Sequence, residues 1–377
     1  MSAVLQTVTS SCQDEGPSTK NARLSEDRRR GRGAALNRSG RFEPLSRESF
    51  DDGWESLEDL PPLKTQVQEE QARTIITRNE SPDLSFDRSI NPYRGCEHGC
   101  IYCFARPSHA CMGLSPGLDF ETRLFAKPNA AQLLERELSK PGYTPRVIAI
   151  GTNTDPYQPL ERGYKLMRDI LEALENCGHP VAIVTKSALV IRDIDILARM
   201  AERNLVKVAL SVTTLDKKLC RAMEPRASAP HKRLGAIKAL SEAGIPTSVM
   251  MAPIIPALTD SEIEALLEAA AEHGAQEAAF ILLRLPLEVS ELFRDWLLRE
   301  RPDRYRHVMN LIRSMRGGKD YDAKWGERMR GRGPYADQIA KRFSLAAKRF
   351  GLNLRRKKLN TDEFVQPQKG GVQLSLF

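Results

Sequence analysis

The stretch RVIAIGTNTDPYQPLERGYKLMRDILEALENCGHPVAIVT (146–185) decides the fold class. It starts with the apolar run RVIAIG (146–151), ends with the apolar run VAIVT (181–185), and has a helical apolar period between them. An almost continuous apolar run is typical of a strand that is buried on both faces of a parallel sheet. Two parallel strands need a crossover, and the middle segment is long enough to supply its helix. The stretch therefore predicts a βαβ unit.

The same alternation continues on both sides of this unit. Further strands are predicted at four apolar runs: SINPYRG (89–95), VKVALSV (206–212), PTSVMMAP (246–253) and EAAFILLRL (277–285). Further helices are predicted at three amphipathic runs: DIDILARMAERN (193–204), HKRLGAIKALSEAG (231–244) and DSEIEALLEAAAEHG (260–274). Glycines suited to the C′ position end several helices, namely Gly178, Gly244 and Gly274. About six βα units are fewer than the eight of a closed barrel, so we expect an α/β fold with a partial (βα)6 barrel.

The segments outside this barrel have other patterns. Residues 1–60 lack an apolar period and are predicted to be a mostly disordered polar and basic arm. We interpret its run Arg28–Arg32 as a solvated basic segment rather than a nucleic-acid contact. The barrel is predicted to occupy residues 75–286, followed by a helical extension over 287–352 and a flexible tail over 353–377.

The composition excludes several classes of protein. The chain has 377 residues, a formal charge of +8, 41% hydrophobic residues and 28% charged residues. These values are ordinary for a soluble globular protein and unlike those of collagen or a wholly disordered chain. No apolar run approaches the roughly 18 residues of a membrane-spanning helix. The start, MSAVLQTVTSSCQDEG (1–16), lacks the basic and apolar regions of a secretory signal, so we expect a cytoplasmic protein.

Three of the seven cysteines are crowded into CEHGCIYC (96–103). The odd count and the expected compartment argue against a disulfide framework, and crowded thiolates are typical of zinc, copper(I) or iron–sulfur sites. A structural zinc site takes four ligands, and the window supplies three thiolates, so zinc would have to recruit His98, His109, Cys111 or a distant partner. A four-iron cluster held by three cysteines would leave one iron open to a substrate or cofactor. The residues alone are therefore compatible with a zinc site and with a four-iron cluster.

The C-x3-C-x-aromatic-C pattern, with Tyr102 at the aromatic position, resembles the signature of the radical S-adenosylmethionine (SAM) superfamily. Within it, the chain looks most like the branch related to spore photoproduct lyase, the DNA-repair photolyase-like proteins. The similarity covers roughly residues 75–310. Five segments carry it: INPYRGCEHGCIYCFARPSH (90–109), GTNTDPYQPLE (151–161), VTKS (184–187), ALSVTTLD (209–216) and MMAPIIPALTD (250–260).

This resemblance implies a metal-binding enzyme with a [4Fe-4S] iron–sulfur cluster on Cys96, Cys100 and Cys103. In the family, the open iron binds the amino and carboxylate groups of SAM. The cluster, reduced by an external electron donor, then cleaves SAM to a 5′-deoxyadenosyl radical. The related branch further implies a lyase-like reaction in DNA repair or modification. Spore photoproduct lyase is associated with a cysteine hydrogen donor that we cannot place here, so the catalytic residues stay unknown.

Polar side chains follow several predicted strands, and ligands of open α/β sheets gather at the carboxyl ends of strands. Asn153 and Asp155 follow the second strand, where members of the family bind the SAM amino group. Turn and capping roles would explain these two residues equally well. Lys186 follows the third strand and is a candidate for the SAM carboxylate, or else a solvated charge.

Two further positions complete the predicted cofactor site. Ser211 and Thr213 are two residues apart and so are expected on one face of the fourth strand, where family members contact the SAM ribose. Strand propensity alone could also account for Thr213. Arg284 lies in an otherwise apolar strand, and since buried arginines are rare unless paired, we predict an anion contact there.

Two features point to macromolecular partners. Cations and aromatics alternate in one run, as a nucleic-acid contact requires, although an exposed charged linker would look similar: Arg313, Arg316, Lys319, Tyr321, Lys324, Trp325, Arg328, Arg330, Arg332 and Tyr335. A second basic cluster is Arg355–Lys358. The end of the chain, QLSLF (Gln373–Phe377), resembles the pentapeptide that binds the bacterial sliding clamp, with Leu and Phe anchors behind a polar linker.

The leading hypothesis is therefore a radical SAM enzyme that acts on nucleic acid, and two rivals remain. One rival keeps the chemistry and changes the substrate to a protein or a small molecule. The other is a non-catalytic, zinc-bearing DNA adaptor for the clamp.

Overall fold

Parallel strands joined by helices form the frame of the protein, as the alternating sequence pattern predicts. A computed structural model describes residues 24–27, 29–43, 62–355 and 357–368. The strands of these residues are β1 Gln66–Glu69, β2 Ile76–Arg78, β3 Arg88–Ile90, β4 Tyr93–Arg94, β5 Arg123–Ala126, β6 Ile148–Ile150, β7 Val181–Thr185, β8 Val206–Ser211, β9 Thr247–Ile254 and β10 Glu277–Leu282. The helices are α1 Asp119–Thr122, α2 Ala130–Leu138, α3 Glu161–Tyr164, α4 Leu166–Asn176, α5 Ile194–Glu202, α6 Lys217–Met223, α7 Pro230–Glu242, α8 Ile263–Glu272, α9 Glu288–Glu300, α10 Tyr305–Ser314 and α11 Pro334–Arg349.

The main sheet has seven strands in the order β10-β9-β8-β7-β6-β3-β2. Its strands β3 and β6 to β10 are parallel neighbours, and β2 is antiparallel at one edge. Both ends of this order are sheet edges, so the predicted partial (βα)6 barrel is confirmed. Because the parallel strands share one direction, their carboxyl ends meet at one side of the sheet. The polar residues that follow β6, β7 and β8 are brought together there.

The predicted helix between β6 and β7 is divided into α3 and α4 at Lys165. Lys165 has a positive φ of 55°, which bends the chain, and the backbone N–H of Met167 donates to Glu161 Oε1 at 3.1 Å. Periodicity does not detect such a break because the apolar positions keep their spacing through it. At the other end of α4, Gly178 adopts φ 64° and the His179 N–H donates to the Leu174 carbonyl. This is the C′ role predicted for that glycine.

Part of the N-terminal segment differs from the predicted disorder. In residues 29–43, Ala34, Ala35 and Leu36 are buried in the protein. The side chain of Arg32 is also buried, and it donates to the Glu121 carbonyl at 2.8 Å instead of being solvated. The apolar triplet and backbone contacts to Glu121 stabilise the segment, although it has no period for a sequence pattern to reveal. Residues 1–23, 28 and 44–60 of the predicted arm lie outside the described residues.

The C-terminal helices confirm the predicted helical region. Helices α9 and α10 share an apolar core with the cysteine window, and the Trp296 indole on α9 donates to the Ala222 carbonyl at 3.0 Å. Helix α11 packs on α8, where Arg342 forms an ion pair of 2.6 Å with Glu264.

The predicted flexible tail is docked over much of its length. The amide of Asn353 exchanges two 3.0 Å hydrogen bonds with the backbone of Ala278. Farther on, the Phe364 ring packs against Tyr143 and His179. These contacts join the tail to segments distant in sequence, so composition did not predict them. Arg356 and the terminal QLSLF segment lie outside the described residues.

In the part of the chain that the structure describes, no helix is long and apolar enough to cross a membrane.

Candidate active site

The carboxyl ends of the parallel strands and the cysteine window line one cavity of about 150 Å³, which is open to solvent on one side. The residues that line it are Cys96, His98, Cys100, Tyr102, Cys103, Phe104, Gly151, Thr152, Asn153, Thr154, Asp155, Val184, Thr185, Lys186, Ser211, Ala252, Pro253, Ile281, Leu282, Leu283 and Arg284. The structure thus brings together side chains separated by up to 188 residues of sequence (284 − 96).

The cysteine window, residues 96–103, is held by backbone hydrogen bonds at both ends. The Cys96 N–H donates to the Phe120 carbonyl at 2.9 Å, and the Ile101 N–H donates to the Met223 carbonyl at 3.0 Å. All three thiols of the window are free and line the cavity, with Cys96 7% and Cys100 8% exposed. Burial raises the pKa of the Cys100 and Cys103 thiols, so a positive group must be bound before these become stable thiolates.

Asp155 connects three parts of the cavity wall. Its carboxylate accepts hydrogen bonds from Thr185 Oγ1 and the Lys186 N–H, both at 2.7 Å. The buried His98 Nδ1 lies 3.3 Å from Asp155 Oδ2 without the alignment of a hydrogen bond. Burial disfavours both charges, but their mutual attraction outweighs it, which lowers the pKa of Asp155 to about 2 and raises that of His98 to about 10. Asp155 therefore organises the ends of β6 and β7 around the cysteine window.

Lys186 presents its ammonium group in the middle of the cavity wall. Nζ donates to Ser211 Oγ at 2.8 Å and to the Ala252 carbonyl at 3.3 Å. It also lies 5.8 Å from the centre of the Tyr102 ring. A lysine ammonium has three donors, and these contacts use two of them. One donor is therefore left for a bound anion.

Tyr102 connects the cysteine window to a buried ion pair. Its hydroxyl donates to Glu224, whose carboxylate also pairs with Arg233. Thr213 Oγ1 donates to the same carboxylate at 2.8 Å. Burial opposes ionisation of Glu224, but Arg233 and Lys186 outweigh it and lower the pKa of Glu224 to about 2. The network holds the Tyr102 side chain in one orientation.

Thr213 is therefore placed differently from the prediction that it shares a face with Ser211. Strand β8 ends at Ser211, so the two-residue alternation does not continue to Thr213. Ser211 lines the cavity, whereas Thr213 is fully buried against Glu224 outside the lining. The other predicted cofactor residues, Tyr102, Asn153, Asp155 and Lys186, all reach the cavity.

Comparisons with known proteins agree with this geometry. Residues 90–270 match the Radical SAM superfamily. An uncharacterized protein of Mycobacterium tuberculosis is 40% identical over 230 residues, which are 60% of this chain and 68% of the relative. The chain belongs to the radical SAM superfamily. A second relative, an uncharacterized protein of Methanocaldococcus jannaschii, is 29% identical over 221 residues, 59% of this chain and 79% of the relative.

This radical SAM protein also shares its fold with spore photoproduct lyase. The lyase complexed with dinucleoside spore photoproduct superposes with a TM-score of 0.55 at 16% identity, over 76% of this chain and 80% of the lyase. A lyase structure with bound AdoMet and the same dinucleoside gives the same TM-score and identity. At this level of identity, the similarity concerns the fold.

As a radical SAM enzyme, the protein uses a [4Fe-4S] cluster and SAM, and its donor set fits a cluster better than a single ion. A structural zinc ion needs four converging ligands. Among the described residues, no group of three or more His, Cys, Asp or Glu side chains converges on one ion position. Three thiols that line one cavity suit a larger cluster, which takes each thiolate at a different iron. Of the residues that zinc could have recruited, His109 and Cys111 do not line the cavity, whereas His98 does and lies 3.3 Å from Asp155.

The remaining cysteines of the described chain stay apart from the radical SAM cavity. Cys177 and Cys220 are buried in packing positions, and Cys111 is exposed. Burial raises the pKa of Cys220 to about 12 and that of Cys177 to about 11, so both thiols are inert.

Sequence reasoning missed three side chains that shape the cavity. Asn91 Oδ1 accepts the Asn153 N–H at 3.0 Å and so orients the loop after β6. Arg233 is fully buried on α7. It lies four residues before Ile237 and therefore on the same, buried face of the helix, so the sequence could have predicted its burial. Phe104 had no signal of its own beyond following Cys103 directly. The guanidinium carbon of Arg284 lies 4.2 Å from the centre of the Phe104 ring.

Proposed function

We propose that this radical SAM enzyme acts on nucleic acid, in the repair or modification of DNA. The observation that carries the proposal is the position of the segment that alternates cations with aromatics. The Leu282 N–H, on the cavity wall, donates to the Met329 carbonyl of this segment at 2.9 Å. The cationic segment is therefore packed directly on the wall of the cavity that holds the cysteines.

Only part of the segment remains available to a partner. Arg316 is buried and donates to backbone carbonyls, Arg328 pairs with Asp83 at 2.5 Å, and the Tyr335 hydroxyl donates to Asp260. The exposed members are Lys319, Lys324, Trp325, Arg330 and Arg332, of which Lys324 pairs with Glu327 at 2.6 Å and Arg332 lies 3.7 Å from the same carboxylate. The indole of Trp325 is 60% exposed, which is unusual for so large an apolar group. Exposed cations that neutralise phosphates, with an exposed aromatic face for a base, are what a nucleic-acid contact requires.

In the proposed site, Cys96, Cys100 and Cys103 hold the cluster, and Tyr102, Asn153, Asp155, Lys186 and Ser211 form the SAM pocket. When bound and reduced by an external electron donor, these cofactors supply a 5′-deoxyadenosyl radical. The free donor of Lys186 is suited to the SAM carboxylate, and the Asn153 side chain, without a hydrogen-bond partner among the described residues, is suited to the amino group. Apolar walls from Val184, Ile281 and Leu283 exclude water from the reacting atoms.

The shared fold with a lyase complexed with dinucleoside spore photoproduct also supports a nucleic-acid substrate. The test is anaerobic reconstitution with SAM, dithionite and ultraviolet-damaged DNA, followed by mass spectrometry of nucleosides and 5′-deoxyadenosine. We expect 5′-deoxyadenosine and an altered nucleoside with the wild type, and neither with Cys100→Ala.

The rivals give different results in the same samples. A protein or small-molecule enzyme would cleave SAM and leave DNA unbound in an electrophoretic assay at moderate salt. A zinc adaptor would contain zinc without iron or sulfide and would leave SAM intact.

We further propose that the terminal segment Gln373–Phe377 binds the sliding clamp. The described tail ends beside segments that precede β7 and β8, because the Val365 N–H donates to the Cys177 carbonyl and Asn204 Nδ2 donates to the Lys358 carbonyl. The last described residues of the tail therefore lie on the amino-end side of the sheet, opposite the cavity. A fluorescent peptide of residues 366–377 should gain anisotropy with 1 µM clamp. Equal anisotropy for wild type and Leu376→Ala/Phe377→Ala would reject the proposal.

A further inference from the structure

The guanidinium of Arg284 lacks a hydrogen-bonding acceptor among the described residues, although it lines the cavity. Two other arginines at this edge have acceptors of their own. Arg316 donates to the Glu327 and Leu283 carbonyls at 2.6 and 3.0 Å. Arg328 donates to Asp83. A half-buried guanidinium without an acceptor destabilises the folded protein, because the group has lost part of its hydration shell and has gained no hydrogen bond in exchange. Such a group suits a bound anion.

Phe104 supports this guanidinium and is itself unusually exposed. The Arg284 guanidinium carbon lies 4.2 Å from the ring centre, a distance that gives a favourable cation–π contact. The ring is 43% exposed, and it follows the cluster cysteine Cys103 directly. The pair therefore offers a cation and part of an aromatic face side by side at the rim of the cavity.

The position of the pair in the sheet indicates what the pair contacts. Arg284 lies two residues beyond β10, the edge strand of the partial barrel, whereas Lys186 follows the central strand β7. Strands β9 and β8 separate β10 from β7. Neighbouring strands are about 4.8 Å apart, so β10 and β7 are separated by roughly 14 Å. Arg284 therefore lies at the periphery of the cavity, where a polymer too large to enter the cavity can reach it.

We infer that Arg284 and Phe104 form a nucleotide-binding pair: the guanidinium binds a substrate phosphate, and the exposed face of the ring stacks on a base. This inference rests on the proposed nucleic-acid substrate. The same guanidinium could instead bind the carboxylate of SAM. The experiment therefore measures the binding of DNA and of SAM separately.

The experiment uses anaerobically reconstituted full-length protein and a fluorescein-labelled dT12 probe, with anisotropy titrations between 50 and 200 mM NaCl. We expect Arg284→Gln to weaken dT12 binding about tenfold and to lower the slope of log Kd against log[NaCl] by about 0.7, the value for one phosphate contact on a single strand. Phe104→Leu should weaken binding about tenfold with the slope unchanged, because stacking releases no counterions. The affinity for radiolabelled SAM, from equilibrium dialysis, should change less than twofold in both variants.

Arg349→Gln is the matched control. Arg349 is exposed, lies over the Phe350 ring at 5.3 Å, and is outside the cavity lining, so the variant loses the same charge from the same kind of pair. It should leave the Kd and the slope as in the wild type, and all variants should retain the wild-type iron content and thermal midpoint.

Three outcomes overturn the inference, and they differ in meaning. If Arg284→Gln matches Arg349→Gln in Kd and slope, the pair does not bind nucleotides. If Arg284→Gln loses SAM and keeps dT12, the guanidinium binds the cofactor carboxylate. If the wild type itself fails to bind dT12 and duplex DNA, the proposed function fails together with the inference.

Discussion

Gly33 approaches the cysteine window so closely that a β-carbon on it would lie 2.0 Å from the carbonyl oxygen of Gly99. Gly99 lies between Cys96 and Cys100. The backbone N–H of Gly33 donates at 2.9 Å to Glu121, which in turn forms a buried ion pair of 2.6 Å with Arg106. An N-terminal segment outside the barrel therefore holds the window in place, and the cluster site depends on residues far from it in sequence.

Gly33→Ala should disturb this contact. Since the nearest atom is a backbone oxygen, the added methyl group can be accommodated only if the segment or the window moves. We expect a loss of about 1–3 kcal/mol in the free energy of unfolding, as for other overpacked sites, and iron loading below half of wild type. The measurements are urea denaturation and iron analysis after anaerobic reconstitution.

Gly235→Ala is the control for this variant. Gly235 lies in α7 with open space around it, so the helix should gain about 0.5–1 kcal/mol from alanine. Equal iron loading in Gly33→Ala and Gly235→Ala would show that the close approach does not support the window.

Arg233→Met should be strongly destabilising. Both Arg233 and Glu224 are fully buried, and removing the cation leaves the Glu224 carboxylate without its main counter-charge. Breaking one partner of a buried pair costs about 3–5 kcal/mol. The Arg233→Met/Glu224→Gln double variant should be more stable than Arg233→Met alone, because no unpaired charge remains. Purely additive losses in urea denaturation would contradict coupling between the two side chains.

The stability of the protein should fall in mild acid because of His179. This side chain is fully buried; Nδ1 faces the Pro180 carbonyl at 3.0 Å, and Nε2 faces the Tyr143 hydroxyl at 2.9 Å. The carbonyl requires a donor at Nδ1, so neutral His179 accepts the hydroxyl proton at Nε2. Burial lowers the pKa of His179 to about 4. The unfolded chain, with a histidine pKa near 6.5, binds the proton first.

The direction of the change in stability with pH follows from this order of protonation. Between pH 6.5 and 4 the unfolded state binds more protons, so the free energy of unfolding decreases as the pH falls. From pH 7.5 to pH 5 we expect His179 to contribute a loss of about 2 kcal/mol. His179→Gln should be less sensitive to this pH change by that amount in urea denaturation. The same pH dependence in both proteins would rule out this origin.

Substitution of a window cysteine should remove the bound iron, whereas substitution of Cys111 should not. Cys96→Ala, Cys100→Ala and Cys103→Ala should each abolish the visible absorption of the reconstituted protein, because each removes one of three cavity thiols. Cys111→Ala, at an exposed position outside the lining, should keep wild-type iron and sulfide contents. Loss of the chromophore in Cys111→Ala would mean that this thiol is a ligand.

Much of the frame could be predicted from sequence because it depends on local periodicity. The runs at 181–185, 206–212 and 277–285 correspond to β7, β8 and β10, since an apolar strand buried on both faces has a recognisable composition wherever it occurs. The break at Lys165 and the early end of β8 were not predictable in this way. Each coincides with a side-chain hydrogen bond that an apolar period does not record: the Met167 N–H donates to Glu161 at the first, and Thr213 donates to Glu224 beyond the second.

The amino-acid sequence by itself determined the α/β class, the three window cysteines and the radical SAM resemblance, because strand period and ligand spacing are properties of short stretches. Only the tertiary structure decided that Thr213 contacts Glu224 instead of the cavity, that Gly33 supports the window, and that Arg284 lies beside Phe104 without an acceptor from the described residues. These are contacts between distant segments. Their existence depends on the packing of the whole chain, which no local pattern records.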